Sequence, residues 1–580
     1  MKAILSILPL MVLVATADPT TIFVSPTGSD MTVDPTNDST PFATIGAAVT
    51  FSNPFDQIRI GAGTYEESGI NIDSTLAFVG DGPGETIIQG DSGPGLASDR
   101  IFDIESGHHV TFDGIMISNG VAPSTPGSGE GGGIFNAGSD LTLNNVVISD
   151  NRSPDGSGGG LWNGGGELVI TQSTITTNES GPGFSGGGVF LDGGNAIVHG
   201  SAIHNNQAGD EDSNPAGDGG GIFISSGAGQ VTIDHSRVCE NHAGDGISGP
   251  GGRGGGIFNN GDLTIRKSLI SGNGSGSSSS ASGGDGGAIF HLGDSLDISN
   301  CTLSGNSTGN SGPTSGAGGS GSVLDATLAS GPANLRFNTI TQNSTGTGFF
   351  FGGYAALHAN IAALKILLKG NIIHGNNVPP NGGGPDVAGG GILSNGHNII
   401  GGDGGFGIAD LSKDDQLNVD PLLLPFGGNG GASETFLPGP GSPAIDAIAC
   451  IADLPHDQRG FLRGDPTAIG SADPDAILLP ILEPSVVNIE ILDRQDNASV
   501  ARLRIPSPPS NHTFTAMAGD NPSMLEIDGL LSSSPIASFN DGVPILVDMP
   551  LVGRLFQSTG QKKERNFIIF VTAEIIDPPE

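Results

Sequence analysis

The sequence predicts an all-β protein in which a long parallel β-solenoid is followed by a small β-rich C-terminal module. An eleven-residue segment, first present as LTLNNVVISDN at 141–151, returns seven times at intervals of 27 to 37 residues. A glycine-rich pentapeptide of constant pattern precedes six of these segments. Glycine then becomes rare, because only five of the 99 glycines lie in 481–580. Repeats of this length, which cannot bury an apolar face alone, are typical of stacked solenoid coils.

The eleven-residue segments carry apolar residues that alternate with polar ones, with one interruption of the alternation. Each segment is therefore predicted to form two short strands separated by a bend. Strands of successive copies would stack about 4.8 Å apart and bury one continuous apolar face. The later copies are LVITQSTITTN (168–178), AIVHGSAIHNN (196–206), VTIDHSRVCEN (231–241), LTIRKSLISGN (263–273), LDISNCTLSGN (296–306), ANLRFNTITQN (333–343) and ILLKGNIIHGN (366–376).

Every copy ends in asparagine, which predicts a structural ladder along the solenoid. A side-chain amide both donates and accepts hydrogen bonds, so stacked asparagines can bond up and down a column. Asparagine also tolerates left-handed backbone, and the alternative is that each is only a turn residue. The predicted ladder consists of Asn151, Asn178, Asn206, Asn241, Asn273, Asn306, Asn343 and Asn376.

The pentapeptides place one aliphatic and one aromatic residue side by side after a pair of glycines. In an extended chain these neighbours point to opposite sides, so one of the two columns lies outside the core. The pentapeptides are GGGIF (131–135), GGGLW (158–162), GGGVF (186–190), GGGIF (219–223), GGGIF (254–258) and GGAIF (286–290). This pattern, with the later asparagine, resembles the repeats of polymorphic outer-membrane proteins and related right-handed β-helix surface proteins. The resemblance covers about 130–380 and implies a right-handed parallel β-helix.

The N-terminal part of the chain predicts export followed by a capped solenoid. Residues 1–17 have one lysine, a short apolar run and small residues at the end, which indicates a signal peptide. The solenoid is predicted over 18–474. Within it, Phe42–Val49 fits a short amphipathic helix and IRIGAGTY (58–65) a strand, a turn and an aromatic residue. This region resembles the opening of pectate-lyase-like β-helix proteins, which implies that the helix caps the solenoid end.

Charge and cysteine content exclude several classes of protein. The formal net charge of −39 opposes binding to nucleic acid. Scattered carboxylates permit Ca²⁺ binding without indicating a site, and no cofactor is predicted. Cys239 and Cys301 lie two coils apart, or about 9.6 Å, and a disulfide needs Cα atoms within about 7 Å. We therefore expect no bridge between them, and Cys301 fills a slot that other copies give to serine.

Candidate catalytic residues are present, but they do not recur in one slot on neighbouring coils. A lyase of the pectate-lyase-like class would need clustered acidic Ca²⁺ ligands and a base, for which Asp113, Asp150, Asp234 and Arg237 are the candidates. His204 and His374 share a slot but lie five coils apart, so they are not expected to form one metal site. No catalytic or metal-binding residue is therefore predicted, and an enzyme is the less favoured class.

After Asn376 the sequence predicts a solenoid end and then a domain boundary. NGHNIIGGDG (395–404), NVDPLLLPFGGNGG (418–431), GSPAIDA (441–447) and DQRGFLRGDPTAIGSAD (457–473) resemble the choice-of-anchor Q family. Members of that family are secreted or surface β-helix proteins with varied anchoring ends. Residues 475–485 are predicted as a linker, because composition changes sharply there.

The last module, 486–580, resembles the end of the secretin core of type II and III secretion systems. Independently of this resemblance, the pattern of apolar residues predicts strands at 543–547 and 566–576 around a polar turn. The residues that carry the resemblance include Val543, Pro544, Asp548, Pro550, Gly553, Leu555, Phe556, Asn566, Phe570 and Thr572. A full secretin core is far longer, so a docking module is expected rather than a channel.

Three functions follow from these observations. The first is a secreted or outer-membrane-associated surface protein, adhesin-like, that binds a cell-surface glycan or envelope protein and is held by its C-terminal module. The second is a polysaccharide lyase or hydrolase. The third is a component of a secretion channel.

Overall fold

Three short strands make one coil of the solenoid, and successive coils pair in parallel. The computed structural model describes residues 19–31, 34–90, 99–124, 129–212, 214–314, 316–359, 366–448 and 454–476. It also describes the backbone of five strands between Pro484 and Ile575. The predicted signal peptide, 1–17, lies outside the described residues.

The eleven-residue segments form two strands each, as the alternation predicts, and they supply eight of the 13 strands in each of two sheets. Sheet A consists of Thr21–Val24, Gln57–Ile60, Leu76–Val79, His109–Asp113, Asp140–Asn144, Glu167–Thr171, Gly194–His199, Ala228–Asp234, Asp262–Arg266, Ser295–Ser299, Ala333–Arg336, Ile366–Lys369 and Ile392–Ser394. Sheet B consists of Gly63–Glu66, Thr86–Gln89, Met116–Ser118, Val147–Ser149, Thr174–Thr176, Ala202–His204, Arg237–Cys239, Leu269–Ser271, Thr302–Ser304, Thr339–Thr341, Ile372–Ile373, Ile399–Ile400 and Gln416–Leu417.

The pentapeptides supply the third strand of each coil. Their aliphatic residues, such as Ile134 and Ile222, are buried, whereas Phe135 and Phe223 are only half-buried on the outside. The glycine before each strand, such as Gly131 at φ +64°, turns the chain where a Cβ would meet backbone. Sheet C consists of Ile70–Ile72, Phe102–Ile104, Ile134–Asn136, Leu161–Asn163, Val189–Leu191, Ile222–Ile224, Ile257–Asn259, Ile289–His291, Leu324–Asp325, Leu357–His358 and Val387–Ala388. A small fourth sheet joins Arg152–Ser153, Glu179–Pro182 and Gln207–Gly209.

The ladder asparagines do not themselves adopt left-handed backbone, although asparagine tolerates it. The residue immediately before each asparagine adopts it instead, with φ between 54° and 73°. These residues are Asp150, Thr177, Asn205, Glu240, Gly272, Gly305, Gln342 and Gly375. The two neighbouring residues have different roles at the corner. The exposed residue turns the chain, and the next side chain, an asparagine, points inward and is buried.

The helix at the start of the solenoid runs over Ile45–Phe51, later than the predicted Phe42–Val49. Thr44 caps it by accepting a hydrogen bond from the Ala47 amide. The Glu67 carboxylate accepts from the first two helical amides, at 2.7 and 2.9 Å. Phe42 precedes the helix because it bridges in parallel to the strand Thr21–Val24.

The stacked coils end at the strand Gln416–Leu417, although the predicted solenoid reaches 474. A 3₁₀ turn, Leu411–Lys413, precedes that strand. Residues 432–448 and 454–473, the described parts of a return segment, then run back along the outside of sheet B. The Thr302 hydroxyl donates to the Gln458 side-chain carbonyl at 2.6 Å, and the Ser471 amide donates to the Thr339 hydroxyl at 3.0 Å. This return segment buries a small second core of Ile372, Ile399, Ala444 and Ile469.

A second compact unit begins at Leu478. Its strand Pro484–Asp493 pairs antiparallel with both Ser499–Ile505 and Phe567–Ile575. A separate hairpin joins Thr515–Ala518 to Leu525–Asp528. The linker of 475–485 stays a prediction, and the strand that begins at Pro484 overlaps its last two residues. In the described part of the chain, no helix has the length and apolarity needed to span a membrane.

Candidate functional site

The eight predicted ladder asparagines lie in one buried column inside the solenoid. Each side-chain amide donates to the carbonyl oxygen of the next asparagine at 2.8 to 3.0 Å. The column begins at the Gly120 amide, which donates to Asn151, and ends where Asn376 donates to Asp386. These asparagines face the interior, so their role is structural and an external ligand does not reach them.

A second ladder runs along the other bend of the same segments, and the sequence only partly indicated it. The hydroxyls of Ser173, Ser201, Ser236 and Ser268 each accept from the backbone amide of the preceding coil at 3.0 to 3.2 Å. After Cys301 the column continues as Asn338, Asn371 and Asn398. Cys301 is a free thiol, and complete burial raises its pKa to about 12. The column is again structural.

Outside the solenoid, the side chains differ from coil to coil, and sheet A carries the most varied set. One outward column reads Asp113, Asn144, Thr171, His199, Asp234, Arg266, Ser299, Arg336 and Lys369 in strand register. Two carboxylates, an amide, two hydroxyls, an imidazole and three cations therefore alternate along the axis. We treat this face as the candidate site.

The densest polar cluster on this face surrounds Asp234. The Nδ1 atoms of His199 and His235 lie 3.4 and 3.0 Å from its carboxylate oxygens, and the Arg266 Nε lies 3.4 Å away. Burial of the carboxyl would raise its pKa, but the two imidazoles and the guanidinium outweigh burial and hold the pKa of Asp234 well below its usual range. The carboxylate therefore stays ionised over the whole physiological range.

Three coils further on, a shallow hollow of about 310 Å³ opens on the same face. Its rim carries two cations, two amides and one carboxylate. The lining residues are Asp297, Asn334, Arg336, Leu367, Lys369 and Asn395. Charged and amide groups of this kind can recognise carboxylates, sulfates and hydroxyls of a ligand.

The structure separates the residues that a lyase of the predicted kind would bring together. Asp113 accepts a hydrogen bond from Asn144 in sheet A, and Asp150 lies in a corner. Arg237 lies in sheet B and pairs with Glu434 of the return segment at 2.8 Å. Only Asp234 belongs to a cluster. His204 and His374 remain far apart along sheet B, and His204 instead contacts the Thr176 hydroxyl at 3.2 Å.

The outward aromatic residues of sheet C form two stacks. Phe135 and Trp162 lie with ring centroids 4.7 Å apart, and Phe190, Phe223, Phe258 and Phe290 continue in a separate stack at 4.6 to 5.5 Å. The guanidinium of Arg253 covers the last ring. Phe258 and Phe290 are buried, whereas Phe190 and Phe223 are half-buried, so only the first half of this stack reaches solvent.

Of the secretin-like motif residues, Phe570 and Thr572 lie in the strand Phe567–Ile575. The other eight, Val543, Pro544, Asp548, Pro550, Gly553, Leu555, Phe556 and Asn566, lie outside the described residues.

Two family models match this chain, and each matches one of the two units. Residues 98–253 match the model of the right handed beta helix region, and residues 487–577 match the secretin model, described as bacterial type II and III secretion system protein. The first unit is thus a right-handed parallel β-helix, and the chain carries a secretin-family segment at its C-terminus. Both agree with the resemblances of the sequence.

Several solved structures are similar to the chain at low identity. Pectate lyase Pel9A is 14% identical, with 79% of this chain and 97% of that chain covered and a TM-score of 0.38. A complex of XylC with xylose is 11% identical, with 78% and 98% covered and a TM-score of 0.39. A rhamnogalacturonan lyase is 14% identical, with 68% and 86% covered and a TM-score of 0.32. No curated protein matches the sequence.

Proposed function

We propose that this chain is an exported, envelope-associated β-helix protein that binds an extended acidic glycan along the outer face of sheet A. The observation that carries the proposal is a line of cations in a strongly acidic protein. Arg266, Arg336 and Lys369 share one outward column, with Ser299 between the first two. The whole chain has only 21 lysines and arginines against 60 acidic residues.

The solenoid geometry suits a polymer better than a small ligand. Successive coils lie about 4.8 Å apart, so a chain lying along the axis meets a new side chain at every step. The distance from Arg266 to Lys369 is three such steps, or about 14 Å. Guanidinium and ammonium groups on this line can pair with the carboxylates or sulfates of an acidic glycan, while Asn334 and Asn395 can bond hydroxyls.

Cleavage of the same polymer is the second candidate. The observation that favours it is the hollow itself, where the Asp297 carboxylate lines the same space as Arg336 and Lys369. A carboxylate next to cations is a common arrangement for moving a proton. Release of shortened or unsaturated products from an acidic glycan would assign this role, whereas binding with the polymer intact supports an adhesin-like role.

The C-terminal module would dock the β-helix to the cell envelope. The secretin match over 487–577 supports an association with an envelope assembly. About 90 residues are too few for the strands and ring domains of a whole channel, so the proposed role is attachment. Detergent-resistant rings formed by the purified protein would instead favour a channel component.

Glycan retention tests the binding face. Wild-type protein and the double variant Arg336→Gln, Lys369→Gln are passed over immobilised acidic polysaccharides at low and high salt. We expect retention of the wild type at low salt and its loss in the double variant. The matched control is Arg152→Gln, which removes an exposed arginine that pairs with Glu179 on another face. Equal retention of all three proteins would contradict the proposal.

Deletion of 485–580 tests the docking role. The truncated chain is expected to remain folded and to lose its association with the envelope fraction. If it still sediments with the outer membrane, attachment lies in the β-helix and the docking proposal is wrong.

A further inference from the structure

We propose that His199, Asp234 and His235 form a binding site for a divalent transition-metal ion of the zinc class. This inference does not depend on glycan binding, because its test measures the ion alone. The cluster lies outside the hollow and shares only Arg266 with the proposed glycan line.

The fold brings the three residues together from two neighbouring coils. His199 and Asp234 are register partners in adjacent strands of sheet A, so their side chains stand side by side on the outer face. His235 follows at the bend, where its positive φ of 47° turns the chain. Its imidazole comes to lie beside the same carboxylate, and the two histidine rings are 5.4 Å apart. The strand register and the turn at His235 thus bring the three side chains together.

The ligand atoms are close enough for one ion. One nitrogen of each imidazole and one oxygen of Asp234 lie within 4.8 Å of one another. Zinc binds imidazole nitrogen and carboxylate oxygen at about 2.0–2.2 Å in a tetrahedral arrangement, so two of its ligand atoms lie about 3.4 Å apart. Small side-chain rotations close the difference. Such rotations are available, because the side chains of His199 and His235 are 51% and 30% exposed.

Two atoms of the cluster point to an ion. Among the described residues, neither Asp234 Oδ1 nor His235 Nδ1 has a hydrogen-bond partner, although both atoms are buried. They lie 3.0 Å apart as an ion pair, in an orientation too poor for a well-directed hydrogen bond. Buried polar atoms normally find a partner. An ion between a nitrogen lone pair and a carboxylate oxygen would satisfy both atoms at once.

The donor set selects the class of metal. Imidazole nitrogen suits zinc, copper, nickel and iron, whereas calcium and magnesium prefer oxygen ligands. Two imidazoles and one carboxylate leave at least one coordination position open toward solvent, as in zinc sites that hold an exchangeable ligand. Arg266 is the competing resident cation, with its Nε 3.4 Å from Asp234 Oδ1. Its side chain is 53% exposed, so it is free to swing away when an ion enters.

Two other histidine–aspartate pairs show what distinguishes this cluster. His109 Nδ1 lies 3.0 Å from Asp140, and His358 Nδ1 lies 2.7 Å from Asp325. Each of these pairs has a single histidine. Within the described residues, the Asp234 cluster alone meets the requirement of three converging metal-ligating atoms. The exposed His109–Asp140 pair is therefore a matched control with the same chemistry and one ligand fewer.

The experiment is a zinc titration of the full chain without an affinity tag, followed by calorimetry and by the visible absorption of bound cobalt. We expect about one high-affinity ion per chain that excess Ca²⁺ does not displace. His199→Gln, Asp234→Asn and His235→Asn should each weaken binding about tenfold or more. Asparagine at 235 keeps a residue type that tolerates left-handed backbone. Arg266→Gln should tighten binding several-fold, because it removes the competing charge.

The control variant is at the exposed His109–Asp140 pair. His109→Gln should leave the titration unchanged, and circular dichroism should show every variant folded without metal. Zinc binding that is the same in wild type and in His199→Gln would overturn the proposal. Equal losses in His109→Gln and His199→Gln would also overturn it, because they would indicate binding spread over surface histidines. Failure of glycan retention with normal zinc binding would leave the metal site standing.

Discussion

The inside and the outside of the β-helix follow the same repeat but use it in opposite ways. Inside, one residue type recurs through many coils, as in the asparagine column from Asn151 to Asn376. Outside, the column from Asp113 to Lys369 in sheet A changes chemistry at almost every coil. Identical side chains satisfy one another across coils, whereas a ligand is recognised by a particular sequence of different groups. The comparison indicates that repetition stabilises this molecule and that departures from repetition carry its function.

The largest effect is expected for a charge placed inside. Ile270 is completely buried between Val238 and Leu303 in sheet B. Ile270→Asp would bury an unpaired carboxylate and lose aliphatic packing, so the free energy of unfolding should fall by about 4 kcal/mol or more. Denaturant unfolding measures it. An unchanged midpoint would show that this position does not face the core.

The second-largest loss of stability is expected for a substitution in the asparagine ladder. Asn273 accepts from both the backbone and side-chain amides of Asn241 and donates to Asn306. Asn273→Ala leaves these buried groups unsatisfied, at about 1–3 kcal/mol for each group. We expect a loss of about 3 kcal/mol by denaturant unfolding. Asn205→Gly, at the exposed left-handed corner before the ladder residue Asn206, is the control because glycine keeps that backbone. An equal loss there would remove the special role of the ladder.

A half-buried carboxyl shortly before the sheet C strand Ile222–Ile224 should make stability depend on pH. Burial raises the pKa of Asp218 to about 6, although the Arg253 amide donates to its carboxylate at 2.7 Å. The folded state therefore keeps a proton that the unfolded chain releases near pH 4, and stability falls as pH rises through about 4 to 6. Asp218→Asn should stabilise the protein at pH 8 by about 2 kcal/mol and change little at pH 4. A constant difference between the two melting curves would contradict this.

The smallest effect on stability is expected outside. The variant Arg336→Gln, Lys369→Gln alters half-buried side chains on the sheet A face. We expect a change in unfolding free energy within about 0.5 kcal/mol for each position. Thermal melting measures it, and a large loss would show that these cations stabilise the coil rather than recognise a ligand.

The same contrast explains how much the sequence could predict. The interior could be predicted because Ile148, Ile175 and their equivalents recur at the same position of every segment. Burial in a stacked coil requires an apolar residue at that position. The second ladder was only partly readable, because its polar residue changes from Ser268 to Cys301 to Asn338 while its position stays constant.

The Asp234 cluster could not be predicted from spacing. His199 and Asp234 are 35 residues apart in sequence, and they meet because the loop between two coils has a particular length. His235 joins them through a left-handed corner, which the adjacent coils form with Gly200 and Lys267. The repeat marks this bend but does not show which side chains meet there. The return segment was equally hidden, since contacts such as Ser471 with Thr339 span 132 residues. Such sites depend on which residues of different coils meet in the fold. A repeat predicts those contacts only at positions where the same residue type recurs.

One paired measurement tests the central claim that stability lies inside and recognition outside. Melting temperature and retention on an acidic polysaccharide are recorded for Asn273→Ala and for Arg336→Gln, Lys369→Gln under the same conditions. The account predicts that Asn273→Ala melts earlier but, while folded, is retained like the wild type. It predicts that the double variant melts like the wild type and is not retained. If melting and retention fall together in both variants, the separation of roles between the two faces is contradicted.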